Sequence, residues 1–108
     1  MAKVFIINNM THRYDKAKRY GELVNVTEGK MPIFKTDIMV NTLSKGLEDF
    51  TDEDYLLISG PTLMCIMAAQ IVFSKFDQVK FLIFDAKEQD YIIRHLNSMR
   101  EPVGSSYK

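Results

Sequence analysis

The sequence predicts an α/β fold: a small single-domain sandwich with a mostly parallel five-stranded sheet, two main helices and a C-terminal β-hairpin. Three observations predict it. Short apolar runs of strand length recur as "KVFIIN", "DYLLIS" and "QVKFLIF", and continuous rather than alternating runs imply strands buried on both faces. Helical spacing of apolar residues fills the stretches before the second and third of these runs. Finally, "DYIIRHL" follows "QVKFLIF" after the short turn "DAKEQ", which lets the last two strands return on each other as a hairpin.

Each element can be justified in order. Lys3 to Asn8 combines β-branched and aromatic residues and closes on two asparagines, as a buried strand does. Asn9 to Tyr20, "NMTHRYDKAKRY", is polar and basic, and Asp15 to Tyr20 makes either a short helix or part of a long loop. Glu22 to Val26 alternates as a half-exposed second strand, stopped by Thr27-Glu28-Gly29. Lys30 to Lys35, with Pro32, is a connection. Thr36 is the N-cap candidate of the first helix, with Asp37 in its first turn. Ile38, Met39, Leu43 and Leu47 then recur at helical spacing to about Glu48.

The acidic stretch "EDFTDEDY" leads into a strand from Tyr55 to Ser59. Pro61 suits the first helical position, where its missing N–H would be unbonded anyway, and the second helix runs to about Ser74. Residues 3–96 form the domain, while 97–108, "NSMREPVGSSYK", lack periodicity and read as a flexible tail. The first, third and fourth strands are expected to be central and parallel, with the hairpin strand as an antiparallel edge.

A chain of 108 residues, 46% apolar and 26% charged, suits one domain around one core. Fourteen basic residues balance fourteen acidic ones, so no global charge draws the protein to nucleic acid or to a membrane surface. The charge is unevenly spread, with a basic amino-terminal third and an acidic middle. Cys65 is the single cysteine; no intrachain disulfide can form, and a reducing compartment fits. Neither a secretory signal pattern nor an apolar segment of the ~20 residues that span a bilayer is present. A cytoplasmic location is expected.

The second helix offers only Thr62, Gln70 and Ser74 as polar residues. It must lie between other elements, or its outer face must meet another copy of the chain, since monomers rarely carry large exposed apolar patches. A homo-oligomer is expected.

In open parallel sheets ligands bind beyond the carboxyl ends of the strands, where helix N-termini point. Asn8-Asn9, Thr27-Glu28 and Ser59-Gly60-Pro61-Thr62 are expected to converge on that edge, joined by Asp85. The helix after Pro61 presents free N–H groups and about half a positive charge there, which suits an anion. His12, Arg13, Lys16 and Arg19 lie on the loop that leaves the first strand and are expected to reach over the same place, with Tyr14 or Tyr20 available to stack on a base. The ligand-binding candidates are therefore Asn8, Asn9, His12, Arg13, Lys16, Arg19, Thr27, Glu28, Ser59, Gly60 and Thr62.

"SGPT" lacks the spacing and lysine of a P-loop and the glycines of a dinucleotide fingerprint, so the turn is equally readable as strand-to-helix punctuation. His12 and His95 lie far apart with no cysteine near either, which argues against zinc. His12 with Glu28 or Asp15 is the conceivable acid–base pair, without a neighbouring feature to tune it. Ser59 lacks a nucleophile-elbow setting. The acidic run from Glu48 to Asp54 does not match a calcium loop. No metal, cofactor or catalytic residue is assigned.

The segments "VFIINN", "AKRYGELVNVTEG", "DYLLISGPTLM", "VKFLIFD" and "YIIRHL" together resemble small α/β proteins encoded by tailed bacteriophages, over most of residues 3–96. That resemblance implies a phage origin with the host cytoplasm as workplace, where small phage proteins often act against a host system; it carries no catalytic residues. The expected function is a non-catalytic, oligomeric binder of a small phosphorylated or nucleotide ligand, sequestering a host signal. The alternatives are an inhibitor that binds a host protein and a nucleotide-cleaving enzyme.

Overall fold

The computed structural model describes residues 1–10 and 14–99. Five strands form one sheet: β1 (Lys3–Ile6), β2 (Glu22–Asn25), β3 (Tyr55–Leu57), β4 (Gln78–Asp85) and β5 (Asp90–Asn97). Their order is β2-β1-β3-β4-β5. β1 pairs parallel with β2 and β3, β3 pairs parallel with β4, and β5 closes the sheet antiparallel to β4, Asp85 opposite Asp90. The expected architecture is therefore the observed one, with β1, β3 and β4 in the interior of the sheet.

Three helical segments connect the strands: a 3-10 helix (Asp15–Tyr20), α1 (Thr36–Gly46) and α2 (Thr62–Phe73). The strand order dictates where they lie. The step from β1 to β2 moves one way across the sheet, while those from β2 to β3 and from β3 to β4 move the other way. Right-handed crossovers then put the 3-10 helix on one face and both α-helices on the opposite face.

The core divides accordingly. On the α-helical face Phe5, Leu56, Val79 and Phe81 from the strands, with Ile7 just after β1, meet Met39 and Leu43 of α1, Leu47 at its C-cap, and Met64, Ala68 and Val72 of α2. Phe50 joins them, with ring centroids 5.1 Å from Phe5 and 6.0 Å from Phe76. On the other face Val4, Ile6, Leu57, Leu82 and Tyr91 pack under Tyr14 and Ala17. Each fully buried aliphatic side chain contributes roughly 1.5–3 kcal/mol of burial, so the two-helix face carries most of the apolar stabilisation.

Element ends differ from the sequence reading in instructive ways. Thr36 is the first residue of α1, not its cap; Lys35 occupies the cap position and, among the described residues, no side chain caps the helix. The helix stops at Gly46 rather than near Glu48, because the chain must turn there to bury Leu47 and Phe50. β3 ends at Leu57, two residues before Ser59. Pro61 is the N-cap of α2, with ψ 141°, and Thr62 is the first helical residue. The missing N–H of Pro61 therefore lies outside the helix, and the first-turn amides start at Thr62.

The apolarity of α2 has a partial internal explanation. Cys65, Met67, Ala69, Ile71 and Phe73 are half-buried against the core through contact with α1 and the sheet. Leu63 and Ile66 remain 42% and 52% exposed. Asp54 is buried, unlike the exposed Glu48, Asp49, Asp52 and Glu53 before it in the acidic stretch. Its Oδ1 accepts from the backbone N–H of Lys3 at 2.8 Å, and its Oδ2 accepts from the N–H and hydroxyl of Thr51 at 2.7 and 3.0 Å. The C-terminal tail lies outside the described residues from residue 100 onward.

Candidate functional site

In this strand order the chain leaves β1 toward one side and β3 toward the other, so the carboxyl ends of these two strands flank the crevice where such folds place ligands. Asn8 sits at that point. Beyond the end of β1 the ladder with the β2 side continues: Val26 N–H donates to Ile6 O, Thr27 N–H to Ile7 O, Asn9 N–H to Thr27 O and Gly29 N–H to Asn9 O. The Asn8 side chain reinforces this extension. Its Nδ2 donates to Thr27 Oγ1 at 2.7 Å and to Gly29 O at 3.0 Å.

That network fixes the amide's orientation. Gly29 O can only accept, and the Thr27 hydroxyl spends its one proton on Ile7 O at 2.8 Å, so the nitrogen of Asn8 must face both. Asn8 Oδ1 is then left fully buried, without a hydrogen-bond partner among the described residues. An unpaired acceptor of this kind costs about 1–3 kcal/mol. The neighbour it faces is Gly60. A Cβ at Gly60 would stand 2.5 Å from Asn8 Cβ and 3.1 Å from Asn8 Oδ1, and Gly60 adopts φ +101°. Only glycine allows the β3–α2 turn to cross this close to β1.

Ser59, beside Gly60, is bonded to Tyr14. The two hydroxyls lie 2.7 Å apart, and the Tyr14 hydroxyl also reaches Asn8 O at 3.5 Å and accepts from Met10 N–H at 3.4 Å. Tyr14 thus bridges the exits of β1 and β3 from the face carrying the 3-10 helix. A role in stacking on a base is not what its position offers: its ring is buried in the core of that face. On the other side of the turn the Cys65 thiol donates to Ser59 O at 3.7 Å, and burial pushes its pKa up, which keeps it protonated.

Above the turn lies a cavity of about 380 Å³, lined by Met10, residues 29–34 and Pro61. Its walls are the side chains of Met10, Met31, Pro32, Ile33, Phe34 and Pro61, with Lys30 as the charged group. Phe34 is 94% exposed at its rim. No side chain caps α2 among the described residues, and its cap residue, Pro61, is part of the cavity wall.

The structure therefore brings Asn8, Thr27, Ser59 and Gly60 together, with Thr62 exposed at the start of α2. Asn9 and Glu28 form an isolated parallel bridge, and Asn25 links their side chains at 3.0 and 2.8 Å. Lys16 and Arg19 do not reach over the turn. Lys16 Nζ donates to Gln89 O, and Arg19 binds both carboxylate oxygens of Asp90 at 2.8 and 3.1 Å. They fasten the 3-10 helix to the β4–β5 turn. Asp85 starts that turn by accepting from the N–H groups of Lys87 and Glu88. His12 and Arg13 lie outside the described residues.

The profile of the phage Pam3 gp32-like protein family matches residues 2–98. The chain belongs to this family. The match spans every strand and helix described above. No curated protein and no solved structure matches the chain. Among the described residues no helix is long and apolar enough to cross a membrane, and no cluster of histidine, cysteine and carboxylate side chains could hold a metal ion.

Sequence reasoning missed the cavity walls. Residues 31–34, Met-Pro-Ile-Phe, read as a mere connection, although four apolar residues in succession within a loop signal that something packs there. It also missed the bridging hydroxyl of Tyr14, for which no local pattern exists.

Proposed function

We propose that this phage protein binds, without transforming it, a small ligand with an anionic group and a flat apolar body, such as a nucleotide, in the host cytoplasm. The observation that carries this reading is the 380 Å³ cavity beside the crevice between β1 and β3. Pockets of roughly 300–1,000 Å³ with mostly apolar walls and few polar groups are the usual form of small-molecule sites. Lys30 and the uncapped first turn of α2 suit the anionic end. Phe34, Met31 and Pro32 suit the flat body. Binding rather than turnover is favoured because Ser59, at the exit of β3, has its hydroxyl bonded to a phenol and not to a base that could activate it. Sequestration of a host nucleotide signal is the biological role this reading implies.

A thermal-shift screen with nucleoside mono-, di- and triphosphates and cyclic nucleotides tests it. One class is expected to raise the melting temperature, since a ligand at about 100 times its Kd adds ~2.7 kcal/mol. Lys30→Glu should diminish that shift and leave the unliganded melting temperature unchanged, because Lys30 is exposed. Gly60 is the wrong place to probe binding, since any side chain there collides with Asn8. Absence of a shift from every nucleotide would overturn the reading, and so would a shift indifferent to Lys30→Glu. Retention of a host protein under those circumstances would favour an inhibitor of protein partners.

A further inference from the structure

We propose that the cavity between the 3-10 helix and the β4–β5 turn is a second binding site, one that takes the guanidinium group of an arginine side chain on a protein partner. It shares no residue with the cavity beside Pro61, so it stands or falls independently of the ligand reading above.

The hairpin and the 3-10 helix build it together. β4 and β5 pair residue for residue up to Asp85 and Asp90, which sets Phe84 opposite Tyr91. Their rings meet edge to face, with centroids 5.3 Å apart and planes inclined by 68°. Tyr91 is buried in the cluster under Tyr14 and Ala17, whereas Phe84 is 45% exposed. Asp15 and Lys16, from the first turn of the 3-10 helix, and Gln89, from the β4–β5 turn, complete the walls of a cavity of about 310 Å³. Gln89 adopts φ +54°, a left-handed conformation that hairpin turns ordinarily give to glycine or asparagine, and backbone strain of this kind collects at binding sites.

The walls define the chemistry of what they would hold. The Asp15 carboxylate can only accept hydrogen bonds. Its ion pair with Lys18, at 3.4 Å, joins two largely exposed side chains, and such pairs contribute little. Gln89 adds a second acceptor: its Nε2 donates to Ala86 O, and its Oε1 has no partner among the described residues. The Lys16 ammonium is already engaged, donating to Gln89 O. Its charge also lies near the Asp90 carboxylate, whose pKa it helps to depress, so it does not stand alone against a second cation. The walls thus call for a flat group that lies on the Phe84 ring and supplies several N–H donors. A guanidinium meets both requirements: it is planar, so it stacks on the ring, and its edge forks onto a carboxylate through two parallel bonds. An ammonium would meet Asp15 only as a point charge. Because Asp15 and Phe84 are so exposed, the cavity encloses a head group and leaves outside whatever carries it. A side chain of a larger partner fits that arrangement, and arginine is enriched among the residues that anchor interfaces.

Titration of the isotope-labelled full chain, followed by backbone amide chemical shifts, tests it. Nα-acetyl-arginine amide is expected to give saturable shifts at Asp15, Lys16, Gln89 and Tyr91 and none at residues 29–34. The uncharged isostere Nα-acetyl-citrulline amide should bind ~10-fold more weakly, since charge-assisted hydrogen bonds are roughly twice as strong as neutral ones. The lysine counterpart should also bind more weakly, for want of the planar fork. Asp15→Asn, at a position that belongs to neither core, should abolish saturation while the spectrum keeps its folded dispersion. Phe84→Leu should weaken binding of the arginine compound more than that of the lysine compound. Absence of saturable shifts with Nα-acetyl-arginine amide would overturn the proposal, and so would equal affinity for the citrulline or lysine compound, or binding that survives Asp15→Asn. Tighter binding of free L-arginine than of the capped amide would assign the cavity to a small molecule and overturn the protein partner.

Discussion

Two polar side chains buried at opposite ends of β1 do different work. Asp54 ties the beginning of β1 to the loop that precedes β3 through three hydrogen bonds, two of them from backbone N–H groups. Truncation would leave Lys3 N–H and Thr51 N–H without their acceptor, and hydrogen bonds to charged groups are worth about 1.5–3 kcal/mol each before overlap is considered. Asp54→Ala is expected to lower unfolding free energy by roughly 3 kcal/mol in urea titration, with Thr51→Val costing less; a loss of Asp54→Ala near zero would mean that water replaces the carboxylate. At the other end, Gly60 adopts φ +101° and lies where a Cβ would meet Asn8. Gly60→Ala is expected to cost roughly 2 kcal/mol or more, since strain and overlap act together. A neutral result would show that the β3–α2 turn can lift away from Asn8, and with it that the buried Oδ1 can be uncovered.

At the scale of elements, burial on both faces leaves a local trace. Val4 to Ile7, Tyr55 to Ile58 and Phe81 to Phe84 are runs in which neighbouring residues are all apolar, and these identified the interior strands. The position of the 3-10 helix left none. It depends on β2 pairing beside β1, a contact between distant segments that no window of residues contains. For the same reason Lys16 and Arg19 read as free cations over the crevice, when Gln89 and Asp90, some seventy residues later, claim them. The Asn8, Ser59 and Gly60 grouping was legible because the end of each parallel strand is marked by polar or glycine residues, whereas Met31 to Phe34 became a cavity wall only through tertiary packing. The Arg19–Asp90 pair carries a pH signature. Hydrogen bonding to Arg19, then to Tyr91 N–H, depresses the pKa of Asp90 in the folded chain. Its contribution is complete above the unfolded carboxylate value of about 3.9 and is lost as pH falls through the lower folded value. Both partners are exposed, so the effect is small. Melting temperatures of wild type and Asp90→Asn should differ at neutral pH and converge in acid; a constant gap would show that the pair acts through shape alone.

At the scale of the whole molecule, the interior strands contribute to both cores at once. Phe5 lies on the α-helical face and Val4 on the other, and Leu56 with Leu57 and Phe81 with Leu82 divide in the same way. Damage to either face must therefore reach the same three strands. Native-state hydrogen exchange should show the amides of β1, β3 and β4 exchanging slowest and together, by global unfolding. The 3-10 helix and the edge strands, each covered on fewer sides, should open earlier. Leu43→Ala on one face and Leu82→Ala on the other should each cost about 2–5 kcal/mol and lower the protection of all three interior strands equally. If Leu82→Ala released the thinly covered face while β1 kept its full protection, the two cores would be separate cooperative units. The sheet between them would then be a partition and not the common structural member that its side-chain alternation makes it.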